Sequence, residues 1–112
     1  MRNTAARAAP PLLHVALEQL QVSSVTQSAR TLGISERQLR RILHDALGIG
    51  PKTFSRLMRF EHAVRAAQAA REINWSNIAV DAGYYDQAHL IADFHAIAGN
   101  TPRMLMAEIG PK

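Results

Sequence analysis

Three arginines crowd one short stretch of this chain, Arg37, Arg40 and Arg41, with Lys52, Arg56 and Arg59 following. A guanidinium is a permanently charged, planar fork of N–H donors whose natural counterparts are carboxylates, phosphates and the acceptor edges of purine bases. Amides and imidazoles that can donate or accept stand nearby at Gln38 and His44, and again at Gln87, His89 and His95. Catalytic chemistry is poorly supplied by comparison. There is no cysteine, hence no thiolate zinc site, disulfide or thiol nucleophile. His89 and Asp93 lie four residues apart with Asp86 near, a conceivable metal pair, but a third ligand is not evident and a surface hydrogen bond is the plainer use. No G-x-S-x-G elbow, phosphate-cradling glycine loop or paired-carboxylate cleft is present. The residues therefore predict a binding protein, neither an enzyme nor a cofactor or metal carrier.

The charge distribution narrows the partner. Thirteen Lys and Arg face nine Asp and Glu in 112 residues, a net +4, and eleven of the thirteen are Arg. Residues 35–72 hold eight of these cations against four acids, whereas residues 73–102 hold none and carry Asp81, Asp86 and Asp93. An anion bound by this chain is thus attracted mainly by its middle third. Apolar runs stop at four or five residues, far short of the roughly 20 that span a bilayer. No basic-then-apolar leader opens the chain, so the expected location is the cytoplasm, away from membranes.

Helices must position these groups. Residues 1–11 are rich in Ala and Arg, end in Pro-Pro and read as a linker or frayed terminus, the remnant of a longer chain or the start of a short one. Apolar residues then recur at Leu12, Leu13, Val15, Ala16, Leu20 and Val22 with helical rhythm. Ser24 and Ser35 suit N-caps, Gly33 and Gly48 helix stops. Leu39, Ile42, Leu43 and Leu47 form the stripe of the helix between Ser35 and Gly48. Pro51 opens a long helix to about residue 72 with Phe54, Leu57, Met58, Ala63 and Ala66 inward. Asn74 and Gly83 bracket another short helix, Asp86 and Gly99 the next, whose stripe is Leu90, Phe94 and Ile97. Thr101 and Pro102 start the last. No period-two alternation occurs, so an all-α fold of seven helices is predicted, with Trp75, Phe54, Phe60, Phe94 and Tyr84 in the core.

A repeat runs through this pattern. Ser24, Ala29 and Gly33 return fifty residues later as Asn74, Ala79 and Gly83; at an offset of fifty-one, Leu39, Leu43, Gly48 and Pro51 return as Leu90, Phe94, Gly99 and Pro102. Each copy is a short helix, a glycine turn and a second helix, with a small alanine where the two cross. That is the spacing of a helix-turn-helix, whose second helix enters the DNA major groove. The prediction is two such subdomains, 12–50 and 73–112, on a connecting helix 51–72. A helix of some 20 residues is about 30 Å long, close to the roughly 34 Å pitch of B-DNA, so one chain could address successive major grooves.

Residues 24–105, three quarters of the chain, resemble the AraC/XylS-type DNA-binding domain of bacterial transcription regulators. The resemblance rests on A-R-T-L-G-I-S-E-R-Q-L-R-R-I-L-H-D-A-L-G-I-G-P, on R-L-M-R-F-E-H-A, on I-A-V-D-A-G-Y-Y-D-Q-A-H-L-I-A-D-F and on A-G-N-T-P. It implies double-stranded DNA as partner, RNA polymerase as a second one, and a separate N-terminal effector or dimerisation domain in the complete regulator. Arg37, Arg40 and Arg41 match positions that the family uses for base and backbone contact, and Gln87 one that often reads a base.

Base readout is accordingly expected from Arg37, Gln38, Arg40 and Arg41 on the first recognition helix, and from Gln87, Ala88, His89 and Ile91 on the second. Phosphate contact is expected from His44, Lys52, Arg56, Thr101 and Arg103, helped by helix N-termini. Glu36 could accept from cytosine but is expected to pair with Arg40, His89 has Asp86 or Asp93 as partners on equal terms with a base or phosphate, and Tyr85 is the one aromatic placed to touch DNA. The family pattern is broken at Ala92 and His95, where basic residues are common, so the second unit should bind weakly and read loosely. An alternative use of the same charges is a helical protein-interaction or membrane-surface module built on the basic helix around residues 56–65. Caps and turn glycines occurring in both copies weigh against it.

Overall fold

The computed structural model describes residues 10–111, so most of the expected 1–11 linker lies outside the described residues. Seven helices and no strand occur among them: α1 Pro10–Val22, α2 Val25–Leu32, α3 Glu36–Leu47, α4 Pro51–Ala69, α5 Trp75–Ala82, α6 Gln87–Ala98 and α7 Pro102–Ile109. The all-α expectation holds. α1 starts two residues before the predicted Leu12, because a proline fits the first turn of a helix, where no N–H partner is required. α4 ends at Ala69, three residues short of the predicted 72.

Local chemistry accounts for the boundaries. Ser24, Ser35, Asn74, Asp86 and Thr101 each accept, through a side-chain oxygen, the amide three residues on. Gly33 and Gly83 leave their helices at φ of 72° and 100°, a left-handed turn that a side chain resists. α2 and α5 are eight residues each, and α3 and α6 twelve each. The repeat is therefore one of structure as well as of letters.

The boundary between two compact units falls between Arg56 and Leu57, inside α4. Each unit thus takes part of the connecting helix. In the first unit α1 packs on α2 and α3, and these two pack on each other. Its buried residues are Ala16, Leu20, Ser28, Ala29, Leu39, Leu43, Pro51 and Phe54. Ser55 Oγ donates to the Leu20 carbonyl at 3.3 Å, tying the first turns of α4 to α1.

The second unit gathers Ala63 and Ala67 of α4 around Ile78, Ala79, Tyr84, Leu90 and Phe94. Phe94 is its centre: the Phe60 ring lies 4.6 Å away and Trp75 meets it edge-on at 5.9 Å. Gln68 Nε2 donates to the Gly110 carbonyl at 3.2 Å and holds the end of α7. The inward row of α4 in this unit is Phe60, Ala63, Val64 and Ala67, at three- and four-residue steps. Leu57, expected inward and one three-residue step before Phe60, is exposed at the start of this unit.

Candidate nucleic-acid interface

The first recognition helix is fixed from both ends and from beneath. Ser35 Oγ accepts the Gln38 amide at 3.0 Å, while Gln38 Oε1 accepts the Ser35 amide at 3.0 Å, a reciprocal cap. Leu39 and Leu43, fully buried, then set the roll of the helix. At about 100° per residue, the side diametrically opposite that pair belongs to Arg41, flanked by Arg37 and Asp45. Arg37, Gln38, Arg40, Arg41 and His44 are all exposed, as a readout face requires. Glu36 does not take Arg40 as expected: its Oε2 accepts the Thr26 hydroxyl at 2.8 Å, pinning the start of α3 to α2. Arg40 instead lays its stem beside Gly50, where an added Cβ would stand 3.9 Å from Arg40 Cγ.

The second recognition helix repeats this scaffold with different side chains. Leu90 and Phe94 are fully buried in the register of Leu39 and Leu43. The outermost positions are then Ala88, Ala92 and Ala96, all exposed, where α3 carries Arg37, Arg41 and Asp45. Cationic Arg forks and a bare alanine ridge thus occupy equivalent faces. His89 and Ile91 flank the ridge, Gln87 opens the helix nearer its buried side, and all three are exposed.

The turn before α6 is one residue longer than its counterpart, which explains the change of offset. Ile34 N–H donates to the Ala29 carbonyl and Tyr84 N–H to that of Ala79, at 3.0 and 2.8 Å, so Tyr84 stands in the place of Ile34. The extra residue is Tyr85, 87% exposed. Tyr84 is buried, and its hydroxyl donates to Asp93 Oδ2 at 3.1 Å. The Arg59 guanidinium lies 5.4 Å over the same ring. Asp93 is therefore turned inward, away from the metal pair that its spacing made conceivable. His89 does not pair with either aspartate through its ring. Its backbone amide donates to Asp86 Oδ1 at 2.8 Å, and its Nδ1 accepts the Tyr85 amide at 3.2 Å. No group of three metal-capable side chains occurs among the described residues.

Of the five residues expected to contact phosphate, His44 lies in the last turn of α3 and the other four fall at two helix starts. Lys52 is exposed and Arg56 half-buried in the opening turns of α4. Thr101 caps α7 by accepting the Met104 amide at 3.1 Å, with Arg103 exposed beside it. In the second unit Gln87, Ile91, Thr101 and Arg103 meet around one open groove of about 280 Å³, completed by Trp75 and Pro102. Four of the expected contact residues are thus brought together there. The reading of Trp75 as core missed this exposed edge. The reciprocal cap of Gln38 also went unread, although Ser35 and Gln38 three residues apart are its signature. No helix among the described residues is long and apolar enough to cross a membrane.

Comparison with known proteins agrees with this construction. A family model described as a helix-turn-helix domain matches residues 28–108. Two solved structures share the fold. One is a transcriptional regulator of Chromobacterium violaceum from the proteins containing an AraC-type DNA-binding domain, with a TM-score of 0.77 at 23% identity, over 88% of this chain and 91% of that one. The other is the C-terminal domain of the two-component response regulator yesN of Fusobacterium nucleatum, with a TM-score of 0.72 at 20% identity, over 86% of this chain and 95% of that one. Among curated proteins no significant match was found.

Proposed function

This chain belongs to the AraC-type helix-turn-helix family and is a DNA-binding transcription regulator, not an enzyme, and from that premise we propose that it grips the duplex chiefly through α3 and reads a second, looser element through α6. The observation that carries this reading is the contrast between two equivalent outward faces: Arg37, Arg40 and Arg41 on one, Ala88, Ala92 and Ile91 on the other, all exposed.

In the proposed complex each recognition helix enters a major groove, and the two grooves are successive. Arg37, Arg40 and Arg41 fork onto guanine O6 and N7 or onto phosphate, with Gln38 beside them. Gln87 takes an adenine edge, Ala88 and Ile91 meet thymine methyls, and His89 donates to a base. His44, Lys52, Arg56, Thr101 and Arg103 hold phosphates, aided by the amides that open α4 and α7. Apolar contacts and neutral amides release no counterions, so this half contributes recognition with little charge-driven affinity. The complete regulator works in the cytoplasm, with an N-terminal effector or dimerisation domain and RNA polymerase as its further partners. These last roles rest on the family resemblance.

Gel-shift titration of random and selected duplexes at two salt concentrations tests the proposal. Nanomolar to micromolar binding that weakens steeply with salt is expected. Absence of duplex binding, with retention on anionic vesicles or on protein partners instead, would return the chain to the interaction-module reading.

A further inference from the structure

The third residues of the two recognition helices, Gln38 and His89, occupy the same register and share a constraint. In each, the side chain's acceptor is already engaged by the turn that precedes the helix. Gln38 Oε1 receives the Ser35 amide at 3.0 Å, and the Ser35 hydroxyl stands 3.4 Å from the same oxygen, so the capping turn occupies the acceptor end of the side chain. Its remaining polar group is the NH₂. His89 Nδ1 accepts the Tyr85 amide at 3.2 Å. A backbone amide only donates, so Nδ1 holds the lone pair and the neutral ring carries its proton on Nε2. The Tyr84 ring holds that ring in place, edge-on with centroids 5.2 Å apart, and the cap from the His89 backbone amide to Asp86 fixes the backbone that carries it.

We infer that Gln38 and His89 read DNA as hydrogen-bond donors only, each directed at an acceptor in the major groove: guanine O6 or N7, adenine N7, or thymine O4. Both side chains are exposed and lie in the first turn of their helices, the part of a recognition helix that meets base edges. Cytosine N4 and adenine N6 present donors there and are rejected, since two donors face one another. Gln38 therefore differs from Gln87, although the side chains are the same. Gln87 has no part in the cap and keeps both amide atoms for a bidentate contact to adenine. The Ser35 cap removes that option from Gln38. This inference rests on the DNA-binding reading and adds the polarity of two of its contacts.

Selection of bound sites from random duplexes, run in parallel on the wild type and three variants, tests it. Gln38→Glu keeps the oxygen that closes the cap, and Glu suits that position, but loses the outward NH₂. His89→Gln keeps a nitrogen donor near the place of Nε2. His89→Asn keeps an acceptor for Tyr85 but is too short to reach a base. The wild type should select acceptor-bearing bases opposite both residues, with a 7-deaza purine at a selected N7 weakening binding about fivefold, the worth of one hydrogen bond. Gln38→Glu and His89→Asn should lose the preference at one position each while melting like the wild type, and His89→Gln should retain it. In the free chain, ¹⁵N spectra of the neutral imidazole should place the proton on Nε2. A proton on Nδ1, or preferences untouched by Gln38→Glu and His89→Asn in a chain that still binds duplex, overturns the inference alone. Failure of the wild type to bind any duplex overturns the DNA-binding reading and this inference with it.

Discussion

Replacing Arg41 with alanine separates the two halves of the interface. Arg41 stands opposite the fully buried Leu39 and Leu43 and is exposed, so truncating it leaves the core of the first unit intact. Its loss acts on DNA in two ways. If the guanidinium forks onto guanine, about 1–3 kcal/mol of discrimination disappears, roughly a 5- to 150-fold loss at the matched base. If it neutralises one phosphate, the slope of log K against log salt becomes shallower by about 0.9. Between 50 and 200 mM salt, a fourfold change, that slope corresponds to about 3.5-fold, by which the deficit of the variant shrinks as salt rises. Gln87→Ala removes a neutral amide from the alanine-ridged helix, so its deficit should be the same at both salts. Fluorescence anisotropy titration of the wild type and both variants on one selected duplex measures the slopes. Equal slopes for Arg41→Ala and Gln87→Ala would refute the charge asymmetry, since only one of the two changes alters ion release.

The reciprocal change, Ala92→Arg, places a cation on the outermost position of α6 and should steepen the salt slope by about 0.9; an unchanged slope would mean that this face does not meet phosphate. Gly33→Ala forces a side chain into a φ of 72° with nothing within 4 Å of the new Cβ, so the cost is backbone strain alone, about 1–2 kcal/mol by denaturant titration, and Gly33→Asn should cost less. Ser28 is fully buried and its Oγ has no hydrogen-bond partner among the described residues. Ser28→Ala should therefore raise stability by about 1 kcal/mol, and a lower melting temperature would show that the hydroxyl is satisfied. Tyr84→Phe removes the donor to the buried Asp93 carboxylate and should cost roughly 1.5–3 kcal/mol in thermal unfolding, whereas Tyr85→Phe, at an exposed ring, should cost nothing measurable.

The elements were legible in the sequence because local interactions terminate them. Ser24, Ser35, Asn74, Asp86 and Thr101 cap the helices that they were expected to cap, and Gly33, Gly48, Gly83 and Gly99 turn at positive φ where the helices were expected to stop. A cap needs an oxygen at one position and a glycine a few residues on, both written in the chain. The repeat made the pairing of helices readable as well, since Leu39 and Leu43 recur as Leu90 and Phe94 and all four are fully buried. Even the weak charge of the second unit was present in the letters, as a stretch of thirty residues without a cation.

What the letters left open were choices between partners. Glu36 had Arg40 one turn away and took Thr26, ten residues back, because packing of α2 on α3 brings that hydroxyl within 2.8 Å. Asp93 had His89 one turn away and took the Tyr84 hydroxyl, a buried donor supplied by the turn before α6. Leu57 has the composition of a core residue, yet the unit it opens buries Ala63 and Ala67 instead. Spacing along one helix states which groups are close enough to compete. Which of them wins depends on what a neighbouring helix presents and how much water remains, and those two quantities exist only once the chain has packed.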